Sequence, residues 1–368
     1  MFEECFKIIT MKYLIVQDWP STHGNHAGMK HMCDLLVEKY PNEYEMFVKD
    51  CPKVWNFPKN IKEKICWHIW NKRARKIYLT KIYPKKYLRL CQPMFSKLRE
   101  GDEVFLLEYL LPWASQYELA CYIRKNFPNV KIYALSHLTC KFFNEITIKE
   151  PQLVQKWAKP IDKMLTLGSS LSTFFKESGI PTDKISTGFH YVDSDYYHKQ
   201  TEIKVHTPLR IIMMGALQRD YNMLAEIVKR CPDVHWIICR GRKNVDDLFP
   251  KSQNVELKGF LEECELRYQM DNADVSLNIM EDTVGSNVIT TSMAMGLAII
   301  VSDVGSIRDY CNKENAVFCK NDINEFVEAI KKLCHENHRV RIMKEQSKKI
   351  SSHWSIQNIN KWFSSLKI

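Results

Sequence analysis

Glycine is scarce in this chain, with 12 in 368 residues. No Gly/Ser-rich or Pro-rich tract occurs either, which argues against long flexible linkers. No stretch reaches the ~18 apolar residues that a membrane helix needs. Residues 1–10, MFEECFKIIT, place two acids before the first Lys and lack an apolar core, so they do not read as a secretory signal. Met11 opens the more typical start MKYLIVQD, and 1–10 read as an extension or an upstream start. There is no repeat at solenoid spacing. The 13 cysteines, scattered from Cys5 to Cys334, form no C-x-x-C pair and no Cys/His cluster of zinc spacing. They are expected to be reduced thiols in a reducing compartment, because a chain this long does not need disulfide staples.

Hydrophobic residues at 45% and charged residues at 26% describe an ordinary globular protein. The length suits two α/β domains rather than one core. The formal charge of +10 is unevenly spread: between Lys59 and Arg99 stand thirteen Lys/Arg and one acid, Glu63. Trp55, Phe57, Trp67, Trp70, Tyr78, Tyr83 and Tyr87 lie in and beside this stretch. Cations mixed with aromatics suit an anionic membrane surface. A solvated helical face with its aromatics in the core is the plain alternative. Nucleic acid is not an expected partner, since none of its recognisable binding motifs is present.

Short apolar runs alternate with helical patterns along the chain. Tyr13–Val16, Val104–Leu107, Val130–Leu135 and Met164–Leu167 read as strands, and 29–39 and 115–126 as helices. The polar segment KQTEIKVHTP, residues 199–208, marks the domain boundary. The alternation then restarts: strands LRIIMMG, VHWIIC, NVELKGF, DVSLNI and LAIIVS are interleaved with helices over 221–230, 262–272, 286–295 and 323–334. The expected fold is α/β, two doubly wound Rossmann-like domains facing across a cleft. They are placed at 1–200 and 201–350, with a C-terminal helix in 351–368 packing back on the first. Ligands in such sheets bind beyond the carboxyl ends of the strands, which points to the loops at 18–28, 136–139, 215–220, 240–244, 280–287 and 302–306.

Over roughly 160–335 the chain resembles the retaining glycosyltransferase family 4, of the GT-B superfamily. The resemblance is carried by LTLGSSLSTFFKESGIPTDKISTGFHYVDSDYYH, NVELKGFLEECELRYQMDNADVSLNIMED and GSNVITTSMAMGLAIIVSDVG, in that order. It implies transfer of a sugar from a nucleotide donor with retention of configuration, and a donor held mainly by the second domain.

Breaking the bond between an anomeric carbon and a diphosphate builds charge on the departing phosphate. That charge must be met by Arg, Lys or a helix N-terminus. In the loop GALQRDYN, Arg219 stands where one branch of the family has a diphosphate-binding Arg. The family's usual Lys position is Tyr221 here, so Arg240, Arg242 or Lys243 of the next loop is expected to supply the missing cation. In EDTVGSN, Ser286 or Asn287 suits a helix N-cap and Gly285 a close backbone approach to ligand. Val288 follows in the first turn, and Glu281 and Asp282 suit the sugar hydroxyls. The family's second Glu aligns with Thr291, which puts the ribose contact in question. In the first domain, His137 matches a His that contacts the donor sugar, and it suits a hydroxyl or phosphate oxygen near neutral pH. Gly24 and Gly28, with His23 and His26, form a loose version of the family's Gly-rich loop.

Catalytic roles are thus expected for His137, Arg219 and Glu281. The remaining residues are binding residues: Gly24, Gly28, Arg240, Arg242, Asp282, Gly285, Ser286, Asn287, Val288 and Thr291. The expected partners are a nucleotide sugar, a glycan or lipid-linked acceptor and an anionic membrane surface met by 59–99, with the protein in the cytoplasm. No cofactor or metal is expected, because the second domain has no D-x-D pair in a strand-end loop; the D-S-D of Asp193–Asp195 leads into the linker. Two rivals stand beside this reading. A non-catalytic GT-B relative is motivated by Thr291. A dinucleotide-dependent oxidoreductase is disfavoured, because neither half opens a helix with G-x-G-x-x-G after its first strand.

Overall fold

The computed structural model describes residues 10–19, 24–50, 61–70, 77–111, 114–215, 219–249 and 251–366. Its contacts divide the chain into two units. The first comprises 1–138, 144–166 and 174–186; the second comprises 139–143, 167–173 and 187–368.

In the first unit the strands are β1 (Lys12–Asp18), β2 (Tyr44–Asp50), β3 (Glu103–Leu106), β4 (Lys131–Ser136), β5 (Lys163–Thr166) and β6 (Ile185–Thr187), ordered β2-β1-β3-β4-β5-β6. The register is parallel from β2 through β5. Leu14, Ile15, Val16, Val104, Phe105 and Leu106 are fully buried. They form near-continuous apolar runs, as expected for strands covered on both faces.

The second unit repeats the plan with β7 (Arg210–Met214), β8 (His235–Cys239), β9 (Val255–Lys258), β10 (Val275–Asn278), β11 (Ala298–Ser302) and β12 (Ala316–Cys319). Their order is β12-β11-β10-β7-β8-β9, all parallel. The helices Tyr221–Arg230 and Ile323–Cys334 pack Leu224, Ile227, Phe326 and Ile330 onto the sheet beside Trp236. Asp220 and Asp322 cap these two helices by accepting from backbone N–H groups in the first turn. Behind the sheet, Lys344 and Asp274 form an ion pair at 2.9 Å with both side chains inaccessible. Asp274 also accepts from the backbone N–H of His206 and of Arg210, which ties the linker to β7.

Contacts draw the last division at Ser186, within β6. Residues 187–200 go with the second unit, and so does the C-terminal helix Ile356–Ser364. The reason is local packing: Trp362 lies 6.2 Å from Phe189, and Val192 N–H donates to the Trp354 carbonyl. Among the described residues no helix is long and apolar enough to cross a membrane.

Candidate active site

Each sheet reverses its strand order once, and that crossover opens a crevice at the carboxyl ends. In the second unit it lies between β7 and β10. Gly215 ends β7 with φ +87, a left-handed conformation that glycine adopts without strain. Arg219 returns to this point: its backbone forms a bridge with Met280, just past β10, and its guanidinium and the Val288 side chain both flank Gly215. Burial pushes the guanidinium down to about 10. Its contacts are weak, 3.4 Å to the Met214 carbonyl and 3.5 Å to Asn278 Oδ1. Among the described residues no carboxylate pairs with it. A half-buried cation is costly without a compensating partner.

The other expected cations divide. Arg240 is spent on its own loop, ion-paired to Asp246 at 2.5 Å and bonded to the Lys243 carbonyl. Arg242 is exposed and its guanidinium stacks on Phe260. Lys243 instead places Nζ 5.1 Å over the Tyr221 ring, whose hydroxyl donates to the Gly215 carbonyl. Of the three, Lys243 is therefore the cation beside the Arg219 loop.

The loop after β10 is braced from two neighbouring strand ends. Met280 N–H donates to Ser302 Oγ, Ser302 Oγ donates to Asn321 Oδ1, and Asn321 Nδ2 donates to the Met280 carbonyl. Glu281 is exposed and pairs with Lys141 at 2.5 Å; the Lys141 hydrogen bond and charge hold its carboxyl below the usual range. Asp282 accepts from the Lys141 and Thr283 backbone N–H groups. Both acids keep lone pairs for a sugar hydroxyl, but neither is unengaged.

Three of the expected binding residues have partners within their own unit. Gly285 has φ +130, and a Cβ there would stand 2.6 Å from Tyr310 Oη and 3.0 Å from the Leu167 carbonyl. A side chain at this position would collide with the unit's own packing. Ser286 occupies the N-cap of the helix Asn287–Ala294, yet its side chain makes no cap hydrogen bond. Asn287 is the first helical residue and not the cap, so the leading N–H groups of this helix have no side-chain cap. Thr291 Oγ1 donates back to the Asn287 carbonyl at 2.6 Å, which turns the hydroxyl into its own helix.

In the first unit the crossover lies between β1 and β3. Gly24 has φ +76 in an exposed turn, and Gly28 starts the helix Met29–Lys39 without a side-chain cap. His137 follows β4, and its Nε2 lies 2.8 Å from Oε2 of Glu108, a carboxylate only 1% exposed. Trp19 Nε1 donates to the other oxygen of Glu108 at 3.0 Å. Gln116 accepts from Glu108 N–H and donates to the Ile15 carbonyl, pinning the loop to β1. Burial works against a charged imidazolium, but the Glu108 carboxylate outweighs it and raises His137 above its ordinary value. Leu110 and Ser115 take left-handed φ values of 68 and 53, backbone strain held in the loop after β3. Glu108 escaped the sequence reading: it is a lone acid ending an apolar run, and its partners lie on other strand ends.

The described part of the basic stretch exposes apolar and cationic side chains together. Ile61 (75% exposed) and Ile65 (56%) lie one turn apart on the helix Ile61–Ile69, with Lys62, Lys64 and Trp67 exposed beside them. The helix Tyr83–Leu90 buries Tyr83 and Tyr87 and exposes Lys85, Lys86, Arg89 and Leu90. Trp70 and Tyr78 pack together at 5.5 Å. His23, Trp55, Phe57, Lys72, Arg73, Arg75 and Lys76 lie outside the described residues.

Comparison with known proteins bears on the second unit most directly. Residues 209–336, which lie wholly within it, match the family described as Glycosyl transferases group 1. The fold is GT-B. HepE of Anabaena, solved with UDP and glucose, superposes with a TM-score of 0.66 at 13% identity, covering 96% of this chain and 98% of that one. Sucrose-phosphate synthase of Thermosynechococcus elongatus gives 0.70 at 11% identity over 97% and 99%. The lipopolysaccharide outer core galactosyltransferase WaaB, in its apo form, gives 0.65 at 16% identity over 96% and 99%. Identities this low establish a shared fold and nothing finer. No curated protein sequence matches the chain.

Proposed function

We propose that this chain is a glycosyltransferase that moves a sugar from a nucleoside-diphosphate sugar to a glycan or lipid-linked acceptor, with retention at the anomeric carbon. The observation that carries the reading is Arg219: a half-buried guanidinium at the β7/β10 crossover, without a carboxylate partner among the described residues. The diphosphate lies against Arg219 and the open amino end of the helix Asn287–Ala294, with Lys243 as the second cation. Charge that grows on the leaving phosphate then meets a guanidinium and a helix dipole already in place. The two acids nearest the site are engaged by Lys141 and by backbone, which favours front-face attack over a carboxylate nucleophile. In that step the acceptor oxygen bonds to the anomeric carbon, the bond to the diphosphate breaks, and the departing diphosphate takes the acceptor proton. No divalent metal takes part.

The first unit takes the acceptor. Exposed Ile61, Ile65, Trp67 and Leu90 among Lys62, Lys64, Lys85, Lys86 and Arg89 support peripheral docking on an anionic leaflet, the inner face of a membrane. The setting that fits is synthesis of a cell-surface polysaccharide or glycolipid in the cytoplasm. The inward-turned Thr291 favours one second reading, a non-catalytic glycan- or lipid-binding relative, which would neither transfer nor hydrolyse a donor.

A thermal-shift screen against nucleoside diphosphates and nucleotide sugars tests the reading, since a donor bound only to the folded state raises its midpoint. Arg219→Ala should weaken diphosphate binding by about 1.5–3 kcal/mol. If no nucleotide raises the midpoint, the donor site is wrong. Equal affinity in a folded Arg219→Ala variant removes Arg219 from it.

A further inference from the structure

The first unit holds a buried acid that the proposed transfer does not yet use. Glu108 ends the run after β3, and its carboxylate meets the loop after β1 through Trp19 and the loop after β4 through His137. A carboxylate removed from water is costly unless its charge is matched. Trp19 supplies one neutral N–H, and among the described residues His137 is the group in contact that can carry a positive charge. The ring faces the acid with Nε2, and among the described residues nothing bonds Nδ1. The same loop carries the two left-handed residues Leu110 and Ser115.

We propose that Glu108 is the positioning residue for His137: it fixes the ring with Nε2 inward and presents Nδ1–H of an imidazolium to an oxygen of the sugar substrate, a hydroxyl or a phosphate. The substrate clause rests on the glycosyltransferase reading, and the pairing itself does not. Gln116 supports the arrangement by holding the Glu108 backbone to β1. Other titratable groups around the carboxylate cannot replace it. From the helix Met29–Lys39, burial first and then Asp34 and Glu108 keep the Cys33 thiol well above its usual value, with Lys30 opposing. From the helix Tyr83–Leu90, burial first and Glu108 among the nearby charges keep the Tyr87 phenol up as well. Both groups are neutral near pH 7, so the His137 titration reports on Glu108.

The sign follows from the pairing. A carboxylate partner keeps His137 protonated to higher pH, so activity that needs the imidazolium is full below its pKa and falls as pH rises through it. The test is the titration of labelled histidine followed by NMR in the full chain without substrate, with His137→Gln assigning the signal. The wild-type ring should titrate above the ordinary ~6.5. Glu108→Gln, which keeps the shape and removes the charge, should move it down by about 1 unit. The alkaline limb of kcat/KM for sugar transfer should move down with it. A wild-type His137 that titrates at or below the ordinary value overturns the pairing, whether or not the variant folds. A folded Glu108→Gln variant with an unmoved titration also overturns it. If the titration behaves as expected while no nucleotide binds, the transfer reading has failed and the pairing has not.

Discussion

The two units solve one problem with opposite charges. Each is a six-stranded sheet with a single crossover, and each brings a charged side chain to that crossover. In the first unit it is Glu108, matched within the unit by Trp19 and His137. In the second it is Arg219, held by two long contacts to neutral oxygens. A fold that places strand-end loops together does not dictate what they bind. The sign of the buried charge and the completeness of its pairing do. At the first crossover the acid has a cationic partner within its unit, whereas at the second the described residues give Arg219 no carboxylate.

Each unit has its own buried core, and the largest expected effect tests whether each stands on it. Asp274→Asn leaves Lys344 buried without its counter-ion and should destabilise the second unit by about 3–5 kcal/mol. Denaturant unfolding should show the transition reported by buried Trp236 shifting while the first unit's transition stays. Equal shifts in both would mean that the units unfold as one. Burial favours a protonated Asp274, but Lys344 outweighs it and holds the carboxyl below its ordinary value. Its stabilising contribution is therefore present above the unfolded pKa, near 4, and lost as pH falls through the folded one.

A smaller effect should separate charge from shape at the second crossover. Arg219→Lys keeps the cation but loses the planar fork that matches phosphate oxygens. Diphosphate affinity, by calorimetry, should fall by about 1–2 kcal/mol, less than for Arg219→Ala. Glu108→Gln should weaken that affinity less than Arg219→Lys does. If Glu108→Gln weakens diphosphate binding as much as Arg219→Lys does, the division of labour between the units is wrong.

The sequence disclosed the second unit better than the first. The helices at 221–230 and 323–334 were legible to the residue because each has an Asp cap and a clear apolar stripe. The strand Tyr44–Asp50 was not, since β2 lies at a sheet edge and mixes Glu45, Lys49 and Asp50 with its apolar residues. Ala316–Cys319 was too short a run to separate from its loop. The place of Arg219 beyond the end of β7 was legible from its position after a strand. Gly285, Thr291 and Arg240 were not, because their partners Tyr310, the Asn287 carbonyl and Asp246 are matters of packing. Glu108 was invisible for the same reason: what makes it special is burial against another strand's histidine.

A membrane contact would add a second difference between the units, since the mixed basic and apolar face belongs to the first. One Lys near an anionic leaflet contributes about 1 kcal/mol. Lys86→Gln should therefore weaken co-sedimentation with anionic vesicles by about that much at low salt, and by less at high salt, where the attraction is screened. Neutral vesicles should bind wild type and variant alike. Equal, negligible binding to both vesicle types would remove docking from the comparison.

The smallest expected effect is none at all, and it concerns how the proposed donor site would neutralise a diphosphate. A divalent cation is held by carboxylates left open toward the phosphates. Here Glu281 is paired with Lys141, and Asp282 accepts two backbone N–H groups. Asp193, of the D-S-D sequence, turns its own chain by accepting from the Asp195 and Tyr196 N–H groups. Arg219 flanks the Gly215 turn, Lys243 lies over the Tyr221 ring beside it, and the helix Asn287–Ala294 begins without a side-chain cap. A metal would have to compete with the guanidinium for the same phosphate oxygens. Sugar transfer should therefore proceed at the same rate with and without chelator, once a donor is known. Activity that vanishes with chelator and returns with Mg²⁺ or Mn²⁺ would show that the crossover is completed by a metal, and that Arg219 alone does not account for its charge.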